Sequence, residues 1–305
     1  MIGCTQSAIT VIGSINTDMV VKTQSLPAVG ETVIGGNFFI SAGGKGGNQA
    51  VAAARLGAEV SMVANLGMDM FGDTAINKLQ VEDIDCRFVS RDKHQASGVA
   101  LVSVDESGAN HIVVAPGANS TLHSKHVEAA FKQIRSSSLV LMQLEIPMGT
   151  VTRAAELIRE KGCRLILDPA PAQELPASVL ASAYLLTPNE TEAESLTGIH
   201  VVDENSARKA ATKILAAGVE NVAITLGNQG VFFANNSSSH LILSPTVDAV
   251  DTTAAGDCFN GSVAAALATG SSLFESIEFA CKAASISVTR LGAQDSMPYA
   301  REVEM

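Results

Sequence analysis

From about residue 120 onward, short apolar runs with strand character alternate with amphipathic stretches of helical length, and this rhythm restricts the fold more than any other regularity. Leu139 to Leu144 precedes a helix near 149–161, and Leu165 to Leu167 follows. Tyr184 to Leu186 leads to a helix from Glu190, and a helix near 204–217 leads to Val222 to Leu226. Strands apolar on both faces and separated by helices predict an α/β fold with a mainly parallel sheet covered on both sides. Two long helices close the chain, one opening at Gly256 and one near 273–289. Segments 18–40 and 97–115 break the rhythm, with strand-type residues and no helix between them, the second as a hairpin turning at Asp105-Glu106-Ser107-Gly108. They predict a small β-sheet beside the main one, serving as a lid or a dimerising face; an edge extension of the main sheet is the plainer alternative. With no repeat and no linker, the whole of 1–305 is expected to be a single domain.

Composition narrows the function. A net charge of −11 and a pI near 5.0, without a Lys/Arg cluster, argue against nucleic acid and anionic membranes as partners. A polyanionic ligand would need Mg²⁺ and local N–H donors. Five scattered cysteines (Cys4, Cys86, Cys163, Cys258, Cys281) with no C-x-x-C pair point neither to a disulfide framework nor to zinc. A reducing cytoplasm is the expected setting. From Met1 the chain runs straight into the strand-like Ala8 to Gly13, and neither a signal peptide nor a membrane span is expected.

The polar residues that interrupt the apolar runs fall just past the carboxyl ends of the strands, where open α/β sheets bind ligands. Asn16 and Asp18 follow the first strand, Glu145 ends the run from Leu139, Asp168 follows Leu167, Asn189 follows Thr187-Pro188, and Gly227 follows Leu226. Asp251-Thr252-Thr253-Ala254-Ala255-Gly256-Asp257-Cys258-Phe259-Asn260-Gly261 combines a small-residue turn, a helix start and a carboxylate. Backbone N–H groups of Ala254, Ala255 and Gly256 can face one anion at the positive end of the helix. Asp257 would repel a phosphate but is well placed to accept the proton of an attacking hydroxyl. The same residues also fit an early-helix acid favoured by the dipole, with close packing around it. Cys258 reads as a small buried helix residue rather than a reactive thiol.

Gly43-Gly44-Lys45-Gly46-Gly47-Asn48 opens a helix running through Ala50, Val51, Ala54 and Leu56. It matches neither a Walker A loop nor a G-x-G-x-x-G dinucleotide fingerprint. Thr225-Leu226-Gly227-Asn228-Gln229-Gly230 leaves one strand and re-enters another at Val231, as an ordinary hairpin or as a phosphate-facing turn. Asn189-Glu190-Thr191-Glu192 starts a helix with ordinary capping chemistry; beside a phosphate, Glu192 would hold a Mg²⁺-bound water and Asn189 would donate to a phosphate oxygen.

Taken together, the chain resembles over essentially its full length the ribokinase-like carbohydrate kinases, also called the PfkB family. Gly43 to Asn48 is similar to the N-terminal signature of that family and Asp251 to Gly261 to the C-terminal one. Gly13 to Asp18, Gln143 to Glu145, Thr187 to Glu192 and Gly292 to Gln294 are similar to its ribokinase branch. The resemblance implies a three-layer α/β/α domain with a β-sheet lid, and ATP-dependent phosphorylation of the 5-hydroxyl of D-ribose. It makes Asp257 the catalytic base and the amides of Ala254, Ala255 and Gly256 the anion hole. Asn16, Asp18, Gly43, Gly44, Lys45, Asn48 and Glu145 would contact the sugar, and Asn189, Thr225, Gly227 and Gly230 would hold ATP. Glu192 would organise Mg²⁺ through water. Asp251, Thr253, Ser287, Arg290, Gly292 and Ser296 would surround K⁺, several through backbone carbonyls. A homodimer through the lid sheet is also implied. Thr253, Cys258 and Asp295 depart from the commonest pattern, Asp295 beside the cation and adenine loops.

With no Trp and two Tyr, the chain must grip a sugar by hydrogen bonds rather than by stacking. Asn16 is the candidate for reading the 2-hydroxyl, favouring ribose over 2-deoxyribose. A deoxyribokinase, a nucleoside or other sugar kinase of the same family, and a non-catalytic sugar sensor are the competing readings.

Overall fold

The computed structural model describes residues 8–106, 108–134 and 138–303. The chain opens with β1 (Ile9–Ile12), leaves the main sheet for β2 (Asn16–Lys22) and β3 (Asn37–Gly43), and enters helix α1 (Lys45–Arg55). Next come β4 (Val60–Gly67), α2 (Met70–Val81), β5 (Asp85–Asp92), and the hairpin of β6 (Gly98–Val104) and β7 (Asn110–Ala115). The alternating stretch gives α3 (Ser124–Phe131), β8 (Leu139–Met142), α4 (Met148–Lys161), β9 (Arg164–Leu167), α5 (Ala177–Leu180) and β10 (Ala183–Leu186). It continues through α6 (Glu190–Thr197), α7 (Glu204–Ala216), β11 (Asn221–Thr225), β12 (Val231–Asn235) and β13 (Ser239–Ile242). Helices α8 (Ala255–Ala268), α9 (Leu273–Ser287) and α10 (Ala300–Val303) finish it.

Among the described residues the main sheet has nine strands in the order β13-β12-β11-β10-β9-β8-β1-β4-β5. Every pairing is parallel except β11 with β12 and β12 with β13, which are antiparallel. Because strand character is apolar at successive residues, each strand feeds both faces. Leu139 and Leu141 of β8 join the core on the side of α1, α8 and α9, whereas Val140 and Met142 join the core on the side of α3, α4 and α7. This is the expected helix-covered parallel sheet. The chain steps outward from β1 in both directions, so the carboxyl ends of β1 and β8 bracket a topological switch point, where such sheets bind ligands.

A second sheet, order β3-β2-β6-β7, stands on this edge, with β2 parallel to β6 and the other pairs antiparallel. The β6–β7 turn closes where the sequence predicts, with Gly108 N–H donating to Asp105 O and Gly108 at a φ of +85°; Ser107 lies outside the described residues. Phe38, Ile40, Leu101, Ile112 and Val113 of this sheet are all more than half exposed.

Two features go beyond the sequence reading. β1 ends at Ile12, since Gly13 to Ile15 already turn toward the second sheet. A further βαβ unit, β4-α2-β5, fills the main sheet beyond β1. Its edge strand reads DCRFVSRD and is only partly buried, so no apolar run announces it.

Helices α1 and α8 approach closely at Gly261, where a Cβ would sit 2.6 Å from both Gln49 O and the Ala52 Cβ. Gly261→Leu is expected to lower unfolding free energy by about 2–3 kcal/mol, as overpacking does. Urea unfolding followed by circular dichroism measures it, and a change within 0.5 kcal/mol, itself roughly the scatter of neutral surface changes, would refute the close contact.

Candidate active site

Four elements converge at the switch point. β2 begins with Asn16 and carries Asp18; α1 starts at Lys45 and carries Asn48; Glu145 follows β8; and the first turn of α8 carries Asp257. They line one cleft of about 580 Å³ between the main sheet and the small one, together with Gly44, Asp251, Thr253, Ala254 and Gly292. Gly44, at a φ of +84°, lets the start of α1 press on the β1–β2 turn, because a Cβ there would lie 2.5 Å from Asn16 N. One on Gly43 would lie 2.1 Å from Asp18 Oδ2. Glu145 holds the same junction, its Oε2 accepting from Ser14 Oγ and from Lys45 N–H.

Asp257 is buried at the floor of the cleft, its Oδ2 accepting from Asn48 Nδ2 at 2.8 Å and its Oδ1 from Gln49 Nε2 at 3.1 Å. Gln49 Nε2 also donates to Asp168 Oδ2 at 2.8 Å, and Gln49 Oε1 accepts from Gln143 Nε2 at 2.6 Å. Among the described residues, Asn48 Oδ1 and Gln143 Oε1 are buried without a partner. Burial raises the Asp257 carboxyl, a shift that Lys45 and the bonds from Asn48 and Gln49 oppose and Glu145 reinforces. Burial likewise pushes Asp168 well above the carboxylate range, against the pull of Lys45. For Lys45 burial alone would lower the ammonium, but Asp257, Asp168, Glu145 and Glu192 outweigh it and raise it. One buried cation therefore serves several buried carboxylates. Gln49, Gln143 and Asp168 stand in this network although the sequence reading gave them no role. Asp168 did carry a signal, its place at a strand end; Gln49 had only its adjacency to Asn48.

The α8 N-terminus has no side-chain cap, and Ala254 preceding it takes a left-handed φ of +59°. Of the three small residues, Ala255 has its N–H taken by Thr252 O at 3.2 Å, while Gly256 is exposed with open space around it. Cys258 points into the core, and burial pushes its thiol up to about 12, so packing accounts for it. The four described cysteines form no disulfide, and Cys4 lies outside the described residues.

The remaining residues lie outside the lining of this cleft or at its rim. Asn189 and Thr225 sit side by side through a parallel bridge at the ends of neighbouring strands. Asn189 and Glu192 cap α6 reciprocally, each side chain accepting from the other's backbone N–H, and burial raises the Glu192 carboxyl. Gly227 is exposed at the start of a 3₁₀ turn. Gly230 is a packing requirement, since a Cβ would come 2.1 Å from Ile242 O. Asp251 clamps two loops, accepting from Thr253 N–H at 2.9 Å and Gly292 N–H at 3.0 Å; burial opposes its charge, but these bonds prevail and lower its carboxyl. Ser287 and Ser296 are buried, each hydroxyl donating to a carbonyl three residues back, and Arg290 is paired with Glu302 at 2.6 Å. Asp295 is exposed on the turn between them. Among the described residues no helix is long and apolar enough to cross a membrane.

Burial, then the charges of Glu145 and Asp257, push Asp18 from 3.8 up to about 6. Between these values the folded chain holds a proton that the unfolded chain has released, so this group lowers stability as pH rises from about 4 to 6. Asp18→Asn is therefore expected to match the parent near pH 4 and to exceed it by on the order of 2 kcal/mol at pH 7. Urea unfolding across that range checks it; equal stability of the two proteins at pH 7 would count against the burial argument.

Comparison with known proteins agrees with this geometry. A family model described as pfkB family carbohydrate kinase matches residues 6–300. The chain is 45% identical to a ribokinase of Haemophilus influenzae over 297 residues, covering 97% of each. Its fold superposes on a ribokinase from Thermotoga maritima with a TM-score of 0.89 at 37% identity, covering 98% of each chain. A ribokinase of Arabidopsis thaliana complexed with ribose and ATP gives 0.89 at 31% identity, covering 98% of this chain and 97% of that one. The switch-point cleft, the small sheet above it and the carboxylate at the uncapped helix thus occur in a chain that belongs to the pfkB family of carbohydrate kinases.

Proposed function

We propose that this protein is an ATP-dependent ribokinase, transferring the γ-phosphoryl group of ATP to the 5-hydroxyl of D-ribose to give D-ribose 5-phosphate and ADP. The observation that carries the reading is Asp257, a buried carboxylate held by two amide donors beside an uncapped helix N-terminus, at the floor of the switch-point cleft. The ribose and ATP bound to the Arabidopsis ribokinase support the choice of substrates.

In this reading the sugar lies in the cleft against Asn16, Asp18, Gly43, Gly44, Lys45, Asn48 and Glu145. The unpartnered Asn48 Oδ1 supplies an acceptor for a sugar hydroxyl. Asp257 accepts the proton of the attacking hydroxyl, and its bonds to Asn48 and Gln49 fix its orientation without neutralising it. Negative charge on the transferred group meets the 254–256 turn at the uncapped helix N-terminus through the amides of Ala254 and Gly256, the Ala255 N–H being held by Thr252 O. ATP occupies the edge formed by Asn189, Thr225, Gly227 and Gly230.

The residues present fit the implied cations. No group of three or more His, Cys, Asp and Glu among the described residues is placed to hold a metal, which suits a Mg²⁺ brought in by nucleotide phosphates and met through water by Glu192 alone. Mg²⁺ supplies neutralisation of phosphate charge. Around Asp251, Thr253, Ser287, Arg290, Gly292 and Ser296 the charged side chains are already engaged, so a K⁺ there would rest on carbonyl and hydroxyl oxygens. The exposed apolar residues of the small sheet support a homodimer through that sheet, and the free cysteines support a cytoplasmic setting.

Asp257→Ala is expected to lower kcat by roughly 10²–10⁴ while sugar affinity stays within a few-fold, because the base acts in the transition state. A near-normal kcat would remove the base from Asp257. ADP release with ribose, 2-deoxyribose, fructose and adenosine, each with and without K⁺, tests the substrate. Preference for ribose with K⁺ stimulation is expected. Equal turnover of 2-deoxyribose or adenosine would point to a different kinase of the family, and sugar binding without ADP would point to a sensor.

A further inference from the structure

Asn16 is a carboxamide, and the two ends of a carboxamide ask opposite things of a ligand: the oxygen needs a donor and the nitrogen an acceptor. Which end faces the cleft is decided by Asn119, on the 3₁₀ turn Gly117–Thr121. Asn119 Oδ1 accepts from Ile15 N–H at 3.0 Å. A backbone N–H can only donate, so this bond fixes the Asn119 oxygen and leaves its nitrogen on the other side. That nitrogen donates to Ile15 O at 3.1 Å and to Asn16 Oδ1 at 2.8 Å. Asn16 Oδ1 is thereby turned away from the cleft that Asn16 lines. Among the described residues nothing accepts from Asn16 Nδ2, and that atom is not sealed from solvent.

Gly98 provides the room. It pairs with Asn16 across β2 and β6, and a Cβ on it would lie 2.2 Å from Asn16 Oδ1 and 2.3 Å from Asn119 Nδ2. A side chain at position 98 would occupy the space of this one hydrogen bond.

We infer that Asn119 is a positioning residue that sets substrate specificity, locking the Asn16 carboxamide so that only its N–H donors face the sugar and the sugar must offer an acceptor oxygen there. The inference rests on the reading of the cleft as a ribose site with Asn16 at the 2-hydroxyl. A 2-deoxy sugar lacks the oxygen and leaves a donor unpaired, which gives preference for ribose without a bulky gate.

Asn119→Asp, assayed at pH 8.5 with the introduced carboxyl ionised, keeps an acceptor for Ile15 N–H but offers none of the donors. Asn16 must then turn its nitrogen toward the new carboxylate and its oxygen toward the sugar, where a 2-hydroxyl pairs only by spending its single proton, which is then withdrawn from Asp18 in the same cleft. Expected is a fall of about 10-fold or more in kcat/KM for ribose, with 2-deoxyribose within about 3-fold of the parent and the KM for ATP unchanged. Asn119→Ala, which frees Asn16 to turn either way, should lower the same preference less, and carries the test if Asn119→Asp does not fold. Equal losses for both sugars, or an unchanged preference in a folded variant, would overturn the inference.

A second readout needs no turnover. The Asn16 side-chain NH₂ signal, identified by its loss in Asn16→Asp, should exchange rapidly with solvent in the parent and slowly in Asn119→Asp. If the parent phosphorylates neither sugar, the kinase reading fails, and this exchange rate alone decides the orientation: slowing supports the lock, and no change refutes it.

Discussion

Burying several carboxylates around one ammonium is the constraint on which the rest of the molecule turns. Asp257, Asp168 and Glu192 are all largely withdrawn from water, with Glu145 and Asp18 half-buried beside them, and Lys45 is the cation that Asp257, Asp168, Glu145 and Glu192 share. An isolated ionised carboxylate is very costly to desolvate, so each must find N–H donors or positive charge, or take up a proton. Here the donors are Asn48 and Gln49 from one turn of α1, which must lie against the first turn of α8. Glycine at 261 permits that approach, and glycine at 44 brings the same helix onto β2. Helix packing, local backbone form and charge solvation are one problem at this point.

The arrangement also separates what the site must hold still from what it must leave open. Gln143 and Gln49 immobilise the floor from the side of the main sheet, while the N-terminus of α8 keeps its first amides uncovered by any side chain. Asp251 performs a similar service for the loops above, joining 251–253 to Gly292 by two N–H bonds to its carboxylate. Polar groups in a closed core would be a liability; at a switch point they are the positions a ligand completes.

Much of the fold was legible because parallel strands buried on both faces write themselves as apolar runs, as Leu139 to Met142 does. β5 is not, since an edge strand half in water keeps Asp85, Arg87 and Arg91; its partner β4, buried from Met62 to Gly67, lies before residue 120, outside the regular alternation of strand and helix. In the site, Asp257, Asn48, Glu145 and Asn16 could be nominated from strand ends and helix starts. Their convergence on one cleft agrees with that. Gln49 and Asn119 could not, because nothing local distinguishes a glutamine or asparagine that bonds a distant side chain of the cleft from one that bonds its own turn. Their partners lie 208 and 103 residues away. Gly230 carries a further requirement that the sequence does not show, since the neighbouring strand leaves no room for a Cβ there.

Asn16, Gly43 and Gly98 lie on a single rung of the small sheet, at its root. The sheet is therefore not a flap attached at some distance from the cleft; its base helps to line it. A strand from Asn16 to Lys22 is a lever roughly 20 Å long at about 3.3 Å per residue, and a rotation of ~10° about that rung carries its tip through some ~3–4 Å. A ligand seated at the rung would sit at the fulcrum, where displacement is least. Small displacements there are magnified outward, across exposed apolar residues that run from Ile40 and Leu101 in mid-sheet to Phe38 near the tip.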